Sequence, residues 1–336
     1  MADIFSSMTG ITAERAFSFS DDPELKDPIK KEEWLNFRKT GIGASDISAI
    51  AGINPWHSRI DVYLDKKGLS GPVNSEKMKW GNLLEEPVAD EFAAREGVKV
   101  MRVNAILRDK KTPFLLTSLD RVIRQNGTAH EIFQHGQGAL EVKTTGWGQS
   151  WEGGDIPAYY FTQLQWELHV SGLKWGRFAT LIGGQDLLIT PVIMADKAIG
   201  EKLQYLAEKF WHDYVLKNIV PEPASPADYE SIQKVFDRDL GTTIKLPEAF
   251  ERVLATHVAL KQQIDDLEGK RKLLGAQILH AVGNNKYGIG QGFKVTKVIK
   301  ADLRLNSAMV KEKYPEIWAE CSQSSQSIYP LVKAVK

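Results

Sequence analysis

The chain has little cysteine, no excess of either charge and no long apolar run, and each lack excludes something. A single cysteine in 336 residues, Cys321, excludes an internal disulfide framework and any site built from several thiolates. An iron–sulfur cluster held by cysteines is therefore out of reach. Apolar stretches such as Ala179 to Ile182 are far too short to cross a bilayer, so no membrane partner is expected. The first residues lack the basic start and apolar run of a secretory signal, which makes a cytoplasmic location the expectation. Lys and Arg number 43, as do Asp and Glu, for a net charge of zero. Nucleic-acid binders often carry a basic excess; here positive charge would have to be gathered locally to hold phosphates. With 43% hydrophobic and 26% charged residues, the composition is that of a globular protein.

Periodicity and turn signals divide the chain into three parts. Residues 1–30 have few apolar anchors, carry Asp21, Asp22 and Glu24 between prolines, and read as a flexible N-terminal arm. Residues 31–220 read as an α/β domain. It opens with a helix carrying Trp34 and Phe37 that breaks at Gly41 and Gly43, after which Ser45 or Asp46 caps a short helix. Helices follow over about 60–67 and 80–96, the second ending at Gly97. Residues 98–107, 114–123 and 139–144 read as strands, the last two joined through a turn near Asn126-Gly127. A helix over 157–170, strands at 175–182 and 186–193, and a long helix over 196–218 complete the domain. Pro221, Pro223 and Pro226 mark its end.

Residues 221–336 read as an accessory region. Its long helix, 247–282, places Val253, Leu260, Leu267 and Leu274 in one row, while His257 and Arg271 interrupt a second row. The interruptions favour packing on its own domain over an oligomeric coiled coil. From Lys286 onward the tail holds nine Lys or Arg against four Asp or Glu, with a strand-like Phe293 to Ile299.

The chemistry concentrates in Leu115 to Asp120 and Leu140-Glu141-Val142-Lys143. Residues two apart in a strand share a face, so Glu141 and Lys143 point together while Val142 points away. With Asp120 on a neighbouring strand, two carboxylates and an ammonium form a compact site. Such hard oxygen donors suit Mg²⁺, with Mn²⁺ as an alternative. An Asp before a strand and a Glu-x-Lys within one are, however, each common on solvated sheet faces. Trp56, following Asn54-Pro55, reads as a core-packing aromatic rather than a contact for a ligand.

Further blocks resolve the ambiguity. Trp34 and Arg38-Lys39-Thr40-Gly41-Ile42-Gly43-Ala44-Ser45-Asp46 come first, then Trp80-Gly81-Asn82-Leu83-Leu84-Glu85. The Asp120, Glu141, Lys143 core follows, and Tyr160-Phe161-Thr162-Gln163-Leu164-Gln165 comes last. In this order they resemble the YqaJ-type viral recombinase family, the phage lambda exonuclease family of the PD-(D/E)XK nuclease superfamily, over about residues 32–220. The usual Pro-Asp of the superfamily is Leu119-Asp120 here.

The resemblance implies a restriction-endonuclease-like α/β core, a central mixed sheet flanked by helices. It implies Asp120, Glu141, Glu85 and the Val142 backbone carbonyl as metal ligands, Lys143 as the catalytic lysine, and Gln163 beside them. Arg38 and Ser45 match the pair that binds a 5′ phosphate. The activity implied is 5′ to 3′ digestion of linear double-stranded DNA in phage-type recombination. A homotrimeric ring and a partner single-strand annealing protein are implied as well. An endonuclease on the same core, or a DNA-binding module with an inactive site, are the alternatives that the residues alone leave open.

Overall fold

The computed structural model describes residues 10–18, 28–70, 75–124, 135–147, 151, 155–226, 228–238, 240–300, 305–322 and 329–332. The expected turn at Asn126-Gly127 and the acidic stretch 21–24 lie outside these residues. The chain divides into two units, Met1–Phe236 and Asp237–Lys336.

The first unit opens with β1 (Glu14–Ser18), α1 (Pro28–Arg38), α2 (Ala44–Ile50) and α3 (Arg59–Lys66). Next come α4 (Glu76–Glu96), β2 (Lys99–Arg102), β3 (Ala105–Arg108), β4 (Leu116–Thr117), β5 (Arg121–Arg124) and β6 (Gly138–Thr145). The unit continues through α5 (Ala158–Ser171), β7 (Trp175–Ile182), β8 (Asp186–Ile189), β9 (Ile193–Met194) and α6 (Lys197–Phe210). A π-helical turn over Trp211–Val215 and α7 (Asp228–Val235) end it.

The main sheet runs β2-β5-β6-β7-β8, with β9 also on β7. It is mixed: β6 and β7 are parallel and the other pairs antiparallel. A smaller sheet runs β1-β3-β4. Helices cover both faces of the main sheet, which is the α/β architecture expected. On one face Val88, Ala89 and Phe92 of α4 pack on Leu140, Val142 and Ala179. On the other, Leu164 and Leu168 of α5 pack on Ala139 and Phe178. A strand apolar on both sides belongs in the interior of a sheet, and each buried Leu, Val or Phe contributes about 1.5–3 kcal/mol. A third cluster joins Ile47 and Ile50 of α2 to Trp166 and Val170 of α5 and Phe210 of α6.

The sequence expectations need correction in several places. Residues 14–18 are a strand of the small sheet, paired antiparallel with β3, where a flexible arm was expected. The expected strands 98–107 and 114–123 are each two strands, because the chain leaves the main sheet for the small one in mid-run. Residues 186–193 likewise divide into β8 and the start of β9, and the long helix widens into the π turn at Trp211. The first unit also runs past the proline cluster: α7 packs beside α3, and its buried Ser231 hydroxyl donates to Asp61.

The second unit holds α8 (Phe250–Val282), the hairpin β10 (Tyr287–Gly290) and β11 (Phe293–Thr296), α9 (Ser307–Lys313) and α10 (Pro315–Cys321). The expected helix is present, but Val253, Leu260, Leu267 and Leu274 are all exposed, and Val282 is the one residue of α8 that is buried.

Candidate active site

Asp120 lies in the break between β4 and β5, where the chain passes from the small sheet to the main one. Freed from the ladder, its Oδ2 accepts a hydrogen bond from the Val142 backbone N–H at 2.9 Å. That bond ties Asp120 to β6 between Glu141 and Lys143. The alternation expected for β6 holds: the Val142 side chain is buried in the α4-side cluster. Lys143 Nζ meets Glu141 Oε1 at 2.5 Å.

α5 brings in the next pair. Gln163 Nε2 donates to Glu141 Oε1 at 2.5 Å, and its Oε1 accepts from Lys143 Nζ at 3.3 Å. The ammonium also lies 4.9 Å from the centre of the Tyr160 ring, within cation–π range. Glu85, on α4, pairs with Arg121, and Arg102 Nη2 stands 3.9 Å from the same oxygen.

Arg38 closes α1, and its Nη2 donates to Ser45 Oγ at 2.9 Å. Ser45 is not the cap of α2. Gly43 holds that place, and Asp46 Oδ2 accepts the Gly43 N–H at 2.8 Å. The Ser45 hydroxyl is thereby left for Arg38. Asp46 is buried against Lys66 at 2.7 Å; burial would raise its pKa, but Lys66 and Arg38 hold it below the usual carboxylate value.

One cleft of about 680 Å³ is lined by all eight expected residues: Arg38, Ser45, Glu85, Asp120, Glu141, Val142, Lys143 and Gln163. Trp56 also lines it, 66% exposed and edge-on to Tyr159, where core packing was expected. The preceding Asn54 explains this: its side chain accepts the backbone N–H groups of Trp56 and His57, holding a turn that turns the indole outward.

The electrostatics of the cleft are those of carboxylates crowded in a low-dielectric place. Burial and the nearby Glu141 push Asp120 up to about 7. Burial and Asp120 raise Glu85, with Arg121 opposing. Burial alone would lower the Lys143 pKa, but Glu141 and Asp120 outweigh it and hold the ammonium above its ordinary value.

A divalent cation is implied by the resemblance, and the residues can be tested against it. Glu141 Oε2 is buried with no hydrogen-bond partner among the described residues, and Asp120 sits beside it with a raised pKa. An unpartnered carboxylate oxygen and a shortage of positive charge both fit a hard cation. Glu85 does not join them here, since Arg121 and Arg102 hold it. Accordingly, no three His, Cys, Asp or Glu side chains among the described residues converge as a metal cage.

The family model that matches is the YqaJ-like viral recombinase domain, over residues 33–174. The uncharacterized protein YqaJ of Bacillus subtilis (strain 168) is 31% identical over 325 residues, 94% of this chain and 97% of that protein. The chain belongs to the YqaJ-like viral recombinase family. All eight expected residues of this YqaJ-like chain fall within the matched span. Uncharacterized protein R354 of Acanthamoeba polyphaga mimivirus is 26% identical over 148 residues, 42% of this chain and 27% of that protein. Among solved structures, the alkaline exonuclease LHK-Exo of Laribacter hongkongensis is similar at 16% identity and a TM-score of 0.44, over 62% of this chain and 100% of that one.

Two residues of this YqaJ-like site escaped the sequence reading. Arg121 follows Asp120 directly and pairs across the ladder with Arg102, so two cations face Glu85. Glu167 is one helical turn beyond Gln163, is 1% exposed, and accepts from Gln163 Nε2 at 3.0 Å. Its position at i+4 from Gln163 was the available signal.

Proposed function

We propose that the protein is a divalent-metal-dependent deoxyribonuclease that digests linear double-stranded DNA from 5′ ends. The observation that carries this reading is the shared cleft: the Asp120–Glu141–Lys143 cluster and the Arg38–Ser45 pair line the same cavity. A cluster suited to hydrolysing a phosphodiester and a guanidinium–hydroxyl pair suited to a terminal phosphate belong together in an enzyme that works from ends.

Asp120 and Glu141 would hold the cation, Mg²⁺ or Mn²⁺, with the Val142 carbonyl beside them and Glu85 once it parts from Arg121. Such an ion supplies charge stabilisation at the scissile phosphate and a more acidic water. Lys143, held by Glu141, Gln163 and the Tyr160 ring, keeps its proton and places a fixed positive charge where negative charge develops. Arg38 offers two parallel N–H donors to a phosphate, and Ser45 adds a hydroxyl. The Arg38 guanidinium lies over the Trp34 ring, 4.8 Å from its centre.

Family membership supports a role in phage-type recombination, and a single-strand annealing partner and a homotrimer around DNA belong to the same reading as what the resemblance implies. A ring would also explain how a chain of zero net charge stays on DNA, because only the channel needs to be basic.

The test uses Mg²⁺ with linear duplex bearing 5′ phosphates, the same duplex without them, and closed circles, with Lys143→Ala as the control for contaminating nuclease. Loss of linear DNA alone, fastest with 5′ phosphates, is expected. Cut circles would make it an endonuclease, and no Lys143-dependent cutting would leave a binding module. A monomeric mass by sedimentation would remove the ring.

A further inference from the structure

The face of α5 turned to β6 carries Tyr160, Gln163 and Glu167, spaced three and four apart so that they stack along one side. Tyr160 and Gln163 line the cleft, whereas Glu167 is buried outside its lining. Glu167 Oε1 accepts from Gln163 Nε2, and its Oε2 finds no partner among the described residues. A carboxyl buried on a core helix with a single hydrogen bond is a costly way to fill space, and an apolar side chain would do that better.

Its use lies in the amide. The nitrogen of a primary amide only donates and its oxygen only accepts. Glu141 and Glu167 together take both N–H groups of Gln163, which turns the amide oxygen to Lys143 Nζ. Glu141 has a second duty as an expected ligand, and an oxygen so engaged is a weaker acceptor for the amide. Glu167, buried away from the cleft, has no second duty. We propose that Glu167 is a positioning residue, whose carboxyl anchors the Gln163 amide so that the amide oxygen holds the Lys143 ammonium in place. Burial, with Glu141 and Asp120 nearby, raises the Glu167 carboxyl well above its usual range. The contact does not depend on that, because a protonated carboxyl still offers a carbonyl oxygen.

The inference rests on the nuclease reading, so its test has one readout apart from cutting. In protein labelled with ¹⁵N-glutamine, the Gln163 side-chain amide, assigned by its loss in Gln163→Ala, is expected to exchange slowly in the wild type and fast in Glu167→Leu. In cleavage, Glu167→Leu is expected to lose about tenfold or more in kcat with KM unchanged, as for misplacement of a reacting group. Its urea midpoint should not fall. Glu167→Gln, which keeps an acceptor, should retain most of the rate, and Glu167→Leu combined with Gln163→Ala should be no slower than Gln163→Ala alone. An unchanged Gln163 amide signal in Glu167→Leu, additive losses, a Glu167→Gln as slow as Glu167→Leu, or a Glu167→Leu protein that does not fold would each overturn the proposal. A wild type that cuts no DNA would sink the nuclease reading and leave the amide result standing.

Discussion

At the scale of single residues, the cleft is a balance between carboxylates and too few cations. Lys143→Ala removes the charge that Glu141 and Asp120 share. The expected outcome is a loss of about 10²-fold or more in cutting, read as acid-soluble nucleotide from linear duplex, with Mg²⁺ binding by calorimetry retained. Asp120 makes a prediction about pH. Its carboxyl is raised from 3.8 to about 7 by burial and Glu141, so the folded state binds this proton more tightly than the unfolded chain. The stabilising contribution is present below the unfolded value and lost as pH climbs to about 7. The urea midpoint of the metal-free protein should therefore fall across that window, and Asp120→Asn should flatten the fall. Glu141 and Lys143 were legible together because a period-two strand pattern dictates which side chains point the same way, whereas Asp120 was legible only through the order of the motif blocks. Arg121 was not, since the carboxylate that makes it matter lies on another element, and Glu167 offered only its i+4 spacing from Gln163, which does not announce burial beside the site.

At the scale of elements, the glycine turn before α2 shows how tightly local chain path and site are joined. Ile42 bridges Leu115 in parallel, and its N–H donates to the Phe114 carbonyl at 2.7 Å. A Cβ on Gly41 would stand 2.3 Å from that same Phe114 oxygen and 2.8 Å from Leu116 Cγ. Gly41→Ala is expected to cost about 1–3 kcal/mol in urea unfolding, the range for overpacking, with more if the backbone cannot shift. It should also weaken the preference for 5′-phosphorylated ends, because the turn sets Arg38 against Ser45. The sequence showed this turn and seven of the ten helices among the described residues, α1 to α6 and α8, whose caps and periodicity are local, but not α7, α9 or α10, each of eight residues or fewer. It hid the division of 98–107 and 114–123 into paired short strands. Alternation continues unbroken when a strand leaves one sheet for another, so the bend that frees Asp120 leaves no mark in the pattern. Of the two residues expected to cap α2, Asp46 accepts the Gly43 N–H, while Ser45, which looks as much like a cap in sequence, meets Arg38 instead.

At the scale of the whole molecule, every expected site residue lies in the first unit. A fragment ending at residue 236 is expected to cut linear duplex, and one ending at 220 to unfold at lower urea. The second lacks α7, whose Asp228 accepts the Ala224 and Ser225 N–H groups and whose Ser231 bonds to Asp61. Equal midpoints for the two fragments would return the boundary to the proline cluster.

The parallel pairing of β6 with β7 carries a further consequence, in time rather than in space. Parallel neighbours cannot be joined by a tight turn, so α5 must be made and laid down before β7 can find its place. Contacts of that kind form late, after the cost of closing the intervening chain has been met. During synthesis Glu141 and Lys143 leave the ribosome first, on a strand that still lacks its parallel neighbour. Gln163 and Glu167 follow, and Trp175 to Ile182 come last. A chain interrupted before α5 is complete displays the acidic cluster without the helix that holds its lysine, and one interrupted between Ser171 and Trp175 has that helix but no parallel neighbour for β6.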